Sequence, residues 1–158
     1  MKERNKAVPA VYLFLRKEGK VLLALRFNTG YQDGNYNVPS GHIEAGELPV
    51  EALIRESKEE IGITLSPSDC KFVFVSYRPT HDATGDRVDL FFEAETWEGD
   101  VVNAEPNKCD DLQWVFPDRL PENTTPHVRG ALEAVGKGEF FREFDAAFLK
   151  ENGMYLLK

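Results

Sequence analysis

The sequence predicts an α/β domain, a mixed β-sheet with helices packed on it. Three observations predict this: two apolar strand-like runs around a Glu18-Gly19-Lys20 turn, a helix-period stripe between 48 and 61, and two more long strand-like runs followed by a helical stretch at 124–138. With 158 residues, 42% of them apolar and 29% charged, the chain is expected to form one domain over 1–158 with its own core.

Taken in order, AVYLFLRKEGKVLLALR reads as a hairpin. FNTGYQDGNYN is rich in Gly, Asn and Asp and reads as loop, and YNVPSGHIEAGE as a brief strand and an irregular turn. From Leu48 to Ile61 the period becomes helical. Val50, Leu53, Ile54, Ser57 and Ile61 share one face, with Ser57 the polar member, and Gly62 stands where a helix end accepts left-handed dihedrals. KFVFVSYRP and RVDLFFEAETW read as strands joined by a polar loop, THDATGD, and LQWVF as a short strand after a second loop. TTPHVRGALEAVGKG reads as a helix with Thr125 at the N-cap and Pro126 at N1.

The formal net charge of −8 argues against a broad nucleic-acid surface, since phosphate backbones are held by Lys and Arg. It leaves room for a small anionic ligand if a metal ion intervenes. Cys70 and Cys109 form no CxxC pair and fit reduced thiols in a cytoplasmic protein. The opening MKERNKAVPAVYLFL is too short in its apolar part for a signal peptide and meets RKEGK rather than a small-residue cleavage site. No run approaches the roughly 18 apolar residues of a membrane span. His42, His81 and His127 form no zinc spacing.

The segment GHIEAGELPVEALIRESKEEIGI is where chemistry concentrates. Its helical stripe leaves Glu56 and Glu60 together on a neighbouring face, with Glu59 within one turn of both. Like charges at i, i+4 cost roughly 0.2–0.5 kcal/mol in an isolated helix. Arg55 can pair with Glu59, but one guanidinium cannot neutralise three carboxylates. A charge run most often marks a solvated face; a hard divalent cation with oxygen ligands is the functional alternative.

Spacing decides between them. Gly41, Glu47, Arg55, Glu56, Glu59, Glu60 and Gly62 fit G-x5-E-x7-R-E-U-x-E-E-x-G-U, where U is usually bulky and apolar; Ser57 and Ile63 occupy the two U sites. This resembles the signature of the Nudix hydrolase family, which includes the MutT-type nucleotide diphosphohydrolases. The resemblance implies a Nudix fold, a mixed β-sheet sandwiched between α-helices. It also implies metal-dependent hydrolysis of a diphosphate linkage in a nucleoside diphosphate derivative, with Mg2+ as cofactor and Mn2+ as its substitute. Glu56 and Glu60 would then be the principal metal ligands. Glu59 would serve another ion or activate water, so both Glu56 and Glu59 stand as candidate bases. Glu47 and Arg55 would be the pair that fixes the loop against the helix. Ser40 replaces the glycine common just before the box, and its backbone carbonyl would ligate metal. Glu105 stands near the place of an extra metal-binding carboxylate in some relatives.

Substrate hints diverge. Pro79, sixteen residues beyond Ile63, lies where a proline marks some ADP-ribose-cleaving members. EPNKCDDLQW resembles a segment of members acting on nucleoside triphosphates, natural or oxidised, and Asn123 lies near a base-reading asparagine of MutT-type enzymes. The compact length also leans toward triphosphates, which would yield a monophosphate and pyrophosphate; nucleotide sugars such as ADP-ribose are the second reading. Arg26, at the end of the second strand, and His42 are placed to meet a phosphate, and a surface arginine and an ordinary loop histidine are the plainer alternatives. A nucleotide-sensing domain without catalysis would typically lack one of the glutamates, and all three are present. RNA-end processing is disfavoured by the acidic balance. The expected partner is a small nucleotide, with no long nucleic acid and no membrane, and family members that dimerise put a homodimer among the expected states.

Overall fold

The computed structural model describes residues 1–154, apart from the side chains of Thr80 and His81. Of the three histidines compared above, His81 therefore lies outside the described side chains. Among the described residues eight strands and three α-helices follow one another as β1 (Ala7–Lys17), β2 (Lys20–Arg26), β3 (Tyr36–Asn37), β4 (Ser40–His42), α1 (Pro49–Ile61), β5 (Lys71–Asp82), β6 (Gly85–Ala94), β7 (Cys109–Val115), α2 (Pro126–Gly136), β8 (Phe141–Glu143) and α3 (Ala146–Glu151). Among the described residues no helix is long and apolar enough to cross a membrane.

The sheet is mixed. β1 runs parallel to β6 from Ala7↔Asp86 to Leu15↔Ala94, β6 is antiparallel to β5, and β8 adds a parallel edge. The other edge of β1 takes β4 at Ala10–Tyr12. The predicted β1–β2 hairpin closes on a two-residue turn, Glu18 and Gly19, both at positive φ, and pairs at Arg16↔Val21 and Lys17↔Lys20. Beyond that, β2 turns away to pair with β3 and β7.

Ala10 to Leu15 are six consecutive buried residues, the pattern of a strand covered on both faces. Alternation divides them between two cores. Ala10, Tyr12 and Phe14 pack with Phe91, Val128 and Ala131 on the α2 side. Val11, Leu13 and Leu15 pack with Leu53, Ile61 and Ile63 on the α1 side.

Helix α1 starts at Pro49, with the expected first residue Leu48 as its N-cap, and the Glu51 carboxylate accepts the Leu48 N–H at 2.9 Å. It ends on Gly62 at φ 75°, whose N–H reaches the Lys58 carbonyl. Leu53, Ser57 and Ile61 of the predicted stripe are buried, while Val50 and Ile54 are half-buried. The Ser57 hydroxyl donates to the Leu53 carbonyl at 2.7 Å, which satisfies a polar group on the core face within its own helix.

One expectation needs correction, and one stretch carries elements that the sequence reading left unassigned. The polar loop THDATGD is mostly strand: β5 continues to Asp82 and β6 begins at Gly85, leaving Ala83 and Thr84 as the turn. Asp82 holds it, accepting the Thr84 N–H at 2.8 Å through one oxygen and Arg87 at 2.6 Å through the other, so local side-chain bonding replaces the hydrophobic pattern as the strand-forming agent. The chain also does not stop organising after α2. β8 and α3 follow, with Asp145 accepting the Phe148 N–H as N-cap and Phe144, Leu149 and Met154 forming a small third core.

Candidate functional site

Helix α1, the β3–β4 turn, the end of β2 and the loop before β7 surround one cavity of about 670 Å³. Its size is that of an ordinary small-molecule site. Among the sequence-predicted residues, Arg26, Ser40, His42, Glu56, Glu59, Glu60 and Glu105 line it, whereas Arg55, Glu47 and Asn123 do not.

Arg55 works behind the lining. Its Nε and one terminal nitrogen donate to the two Glu47 oxygens at 2.7 and 3.0 Å, the same nitrogen reaches the His42 carbonyl at 3.1 Å, and the other meets Glu56 at 2.8 Å and Glu59 at 3.4 Å. Glu47 also accepts the Glu44 N–H at 2.9 Å. The pair thus locks the 42–48 loop to the helix, and the bidentate guanidinium pulls the Glu47 carboxyl down to about 2.

Gly41 has a steric reason. A Cβ built on it would lie 2.0 Å from the Glu56 carboxyl group, so this carboxylate occupies the space a side chain would need. Burial raises the Glu56 pKa despite the opposing Arg55. Glu60 goes further. It is pushed well above the usual carboxylate range by burial first and by Glu56 second, and the bond it accepts from the Ser40 N–H at 3.1 Å offsets this in part. Among the described residues no Lys or Arg forms a salt bridge with it. Glu59 is the exposed member of the group.

Glu105 is brought to the same place by backbone bonds. The Val102 and Ala104 N–H groups donate to the Ile61 and Glu60 carbonyls, which staples the loop to the last turn of α1, and Asn103 ties its far side to the Cys109 carbonyl at 2.7 Å. Lys108 stands 3.6 Å from Glu105.

Arg26 reaches into the cavity but spends its donors on the 27–35 loop, to the Tyr31 carbonyl at 2.7 Å and the Thr29 hydroxyl at 3.0 Å. His42 lines the wall, and burial followed by Arg87 lowers its pKa. Asn123 is placed apart: its amide donates to the Gly34 carbonyl at 2.8 Å and its own carbonyl accepts the Tyr36 N–H at 2.7 Å, which positions the loop rather than the cavity wall.

Sequence reasoning missed the deep end, where Tyr12, Tyr31, Arg78 and His127 line the cavity. Arg78 was a legible signal, a charge close behind the apolar run Phe72–Val75 of β5.

Among the described residues no three His, Cys, Asp or Glu side chains converge on one point as a finished metal cage. Glu56 is turned to Arg55 and Glu60 to Ser40. The donor set nonetheless suits a hard divalent cation: carboxylate oxygens on a rigid helix, two of them raised in pKa by burial, with water and a ligand free to complete the shell.

A profile of the NUDIX domain family matches residues 4–135. The chain is 33% identical over 107 residues to an ADP-ribose pyrophosphatase of Methanocaldococcus jannaschii, covering 66% of this chain and 59% of that protein. It is 24% identical over 131 residues to an 8-oxo-dGTP diphosphatase of Escherichia coli, covering 75% and 91%. It is 27% identical over 113 residues to a NAD-capped RNA hydrolase NudC of Pseudomonas aeruginosa, covering 72% of this chain and 37% of that longer protein. Among solved structures, a MutT NUDIX hydrolase from Burkholderia pseudomallei superposes with a TM-score of 0.72 at 27% identity, over 81% of this chain and 97% of that one.

Proposed function

The chain belongs to the NUDIX domain family, and from that premise we propose that it hydrolyses a diphosphate linkage in a nucleoside diphosphate derivative, preferring a nucleoside triphosphate, natural or modified, and releasing a monophosphate and pyrophosphate. The observation that carries this is Glu60, a half-buried carboxylate in the cavity wall beside Glu56 with no salt-bridge partner among the described residues. Burying such a group is costly unless a cation completes it.

Glu56, Glu60, Glu105 and the Ser40 carbonyl would hold Mg2+, with Mn2+ as substitute. A divalent ion there supplies charge neutralisation for the diphosphate and makes a nearby water more acidic. The protein's own residues do the rest. Arg55 and Glu47 keep the glutamate-bearing turn in register, as the locked 42–48 loop requires. Glu59 reaches Arg55 at 3.4 Å and faces solvent, while Glu56 is held at 2.8 Å; both stay candidates for taking the proton from the attacking water. Arg26 lines the same cavity as Glu60 and would meet the negative charge a phosphate tail brings. The two free cysteines fit a reducing, cytoplasmic setting.

The triphosphate preference draws on the segment EPNKCDDLQW, which contributes Glu105, Lys108, Cys109 and Leu112 to the cavity wall, and on the likeness to the 8-oxo-dGTP diphosphatase. A second reading, cleavage of ADP-ribose or another nucleotide sugar, draws on the 33% identity to the archaeal pyrophosphatase and on Pro79.

The test is a panel of nucleoside triphosphates, modified triphosphates, ADP-ribose and a capped RNA, each with Mg2+, Mn2+ or EDTA, read as pyrophosphate and monophosphate formed. Metal-dependent pyrophosphate release is the expected result. Activity confined to ADP-ribose favours the second reading, and binding without turnover points to a sensing domain.

A further inference from the structure

Glu56, Glu59, Glu60 and Glu105 line one end of the cavity, its mouth, where Glu59 is exposed. The first three share helix α1, so the helix fixes their spacing. Glu105 comes from elsewhere in the chain, and its place depends on how the 102–109 loop is built. The tip of that loop is a turn. The Glu105 carbonyl accepts the Lys108 and Cys109 N–H groups, both at 2.9 Å, with Pro106 at the position its fixed φ suits. The incoming side follows α1, where the Val102 and Ala104 N–H groups meet the Ile61 and Glu60 carbonyls at 3.0 and 3.1 Å. The outgoing side follows β2, where the Lys108 carbonyl accepts the Phe27 N–H at 2.9 Å and Cys109 pairs with Arg26.

Those bonds tie each side of the loop to a different element, and Asn103 joins the two sides to each other. Its amide nitrogen donates to the Cys109 carbonyl at 2.7 Å, across the base of the turn. The Asn103 Oδ1 is buried and accepts no hydrogen bond among the described residues, so the donor is the half of the amide that the loop uses. The ion pair of Glu105 with Lys108, at 3.6 Å, does not fix the turn in the same way. The Lys108 side chain is 57% exposed, and such surface pairs contribute little. The turn brings the Glu105 charge to both helix glutamates: burial is the first cause that raises the pKa of Glu56 and of Glu60, and Glu105 adds to it in each.

We propose that Asn103 is a positioning residue for the cation site: by holding the base of the turn through the Cys109 carbonyl, it keeps the Glu105 carboxylate in the cavity with Glu56 and Glu60 as a further ligand of the divalent ion. This rests on the metal-dependent reading above. A hard cation such as Mg2+ takes its oxygens at about 2.1 Å in a demanding geometry. A carboxylate on a loop meets that demand only when the loop is held as firmly as a helix. Asn103 supplies the hold for a ligand that α1 does not carry.

The experiment is a calorimetric Mn2+ titration of the full chain without nucleotide, on wild type, Asn103→Leu, Glu105→Gln and the double variant. The denaturation midpoint of each is measured alongside in EDTA. Asn103→Leu keeps the side-chain volume and removes the donor; Asn103→Ala takes its place, with the same expectations, if the leucine variant does not fold. Each single variant should bind Mn2+ about tenfold more weakly than wild type. The double variant should bind no more weakly than Glu105→Gln alone, because a residue that acts through Glu105 then has nothing left to position. A purely structural Asn103 would instead lower the midpoint and leave Mn2+ affinity as in wild type. That result overturns the proposal, and so does wild-type binding by Glu105→Gln, or losses that multiply in the double variant. Glu60→Gln separates this proposal from the reading beneath it. Mn2+ uptake that falls with Glu60→Gln but not with Asn103→Leu keeps the cation reading and removes the role of Asn103, whereas no uptake by wild type removes both.

Discussion

Glu60, half-buried in the cavity wall, and Asp89, fully buried behind Arg78, are acidic side chains that differ in what stands against them. Asp89 is gripped by the two nitrogens of Arg78. Glu60 has a backbone N–H from Ser40 and the charge of Glu56 beside it. A compensated carboxylate is part of the wall. An uncompensated one marks a place where the protein alone is electrostatically incomplete, and the comparison separates structure from binding more clearly than burial does.

The largest test of this comparison is to neutralise each carboxylate in turn. Asp89→Asn leaves Arg78 buried without its counter-charge and should cost about 3 kcal/mol or more, read as a lower denaturation midpoint. Glu60→Gln should do the opposite in metal-free buffer, keeping or raising the midpoint, because it removes a repelling charge. Equal losses for both would erase the distinction.

Next in size, Gly41→Ala places a methyl group where the Glu56 carboxylate lies. Hydrolysis should fall at least about a hundredfold, since displacement of a positioned group by an ångström has that order of effect. The circular dichroism spectrum should change little, and wild-type turnover would refute the placement of Glu56.

A pH series sharpens the role of the mouth's support. Glu47 has its pKa lowered to about 2 by Arg55, so its contribution to stability is present above the ordinary glutamate value and is lost as pH falls through that value toward 2. Glu47→Gln should flatten the acid limb of the stability curve across this window and leave the pH dependence near neutrality as in wild type. An unchanged acid limb would show that the pair does not carry it.

The smallest effect belongs to Ser57. Its hydroxyl bonds inside its own helix, so Ser57→Ala should change stability by less than about 1 kcal/mol. A larger loss would mean that the hydroxyl supports the neighbouring Glu56.

The mouth was legible in the sequence because it is local. Gly41, Glu47, Arg55, Glu56 and Glu60 fall within one loop and one helix, where period and spacing act directly, and Gly62 ended the helix where expected. Glu105 could be placed near them by resemblance, yet what brings it there, the Val102 and Ala104 bonds to the end of α1, has no sequence signature. The deep end was not legible. Tyr12, Arg78, Asp89 and His127 come from β1, β5, β6 and α2, and their meeting depends on the parallel register of β1 with β6, which local pattern does not specify. Asn123 shows the same limit from the other side: its type suited base recognition, but its amide is engaged with the Gly34 carbonyl. The 80–86 stretch was misread because polar residues held by Asp82 can extend strands that hydrophobic alternation does not mark.

The most direct measurement is a Mn2+ titration followed by electron paramagnetic resonance, comparing the wild-type chain with Glu60→Gln and without nucleotide present. The wild-type chain is expected to take up Mn2+, and the variant to bind it at least about tenfold more weakly while keeping its fold. Identical binding curves would contradict the claim that the uncompensated glutamates of α1 are completed by a divalent cation.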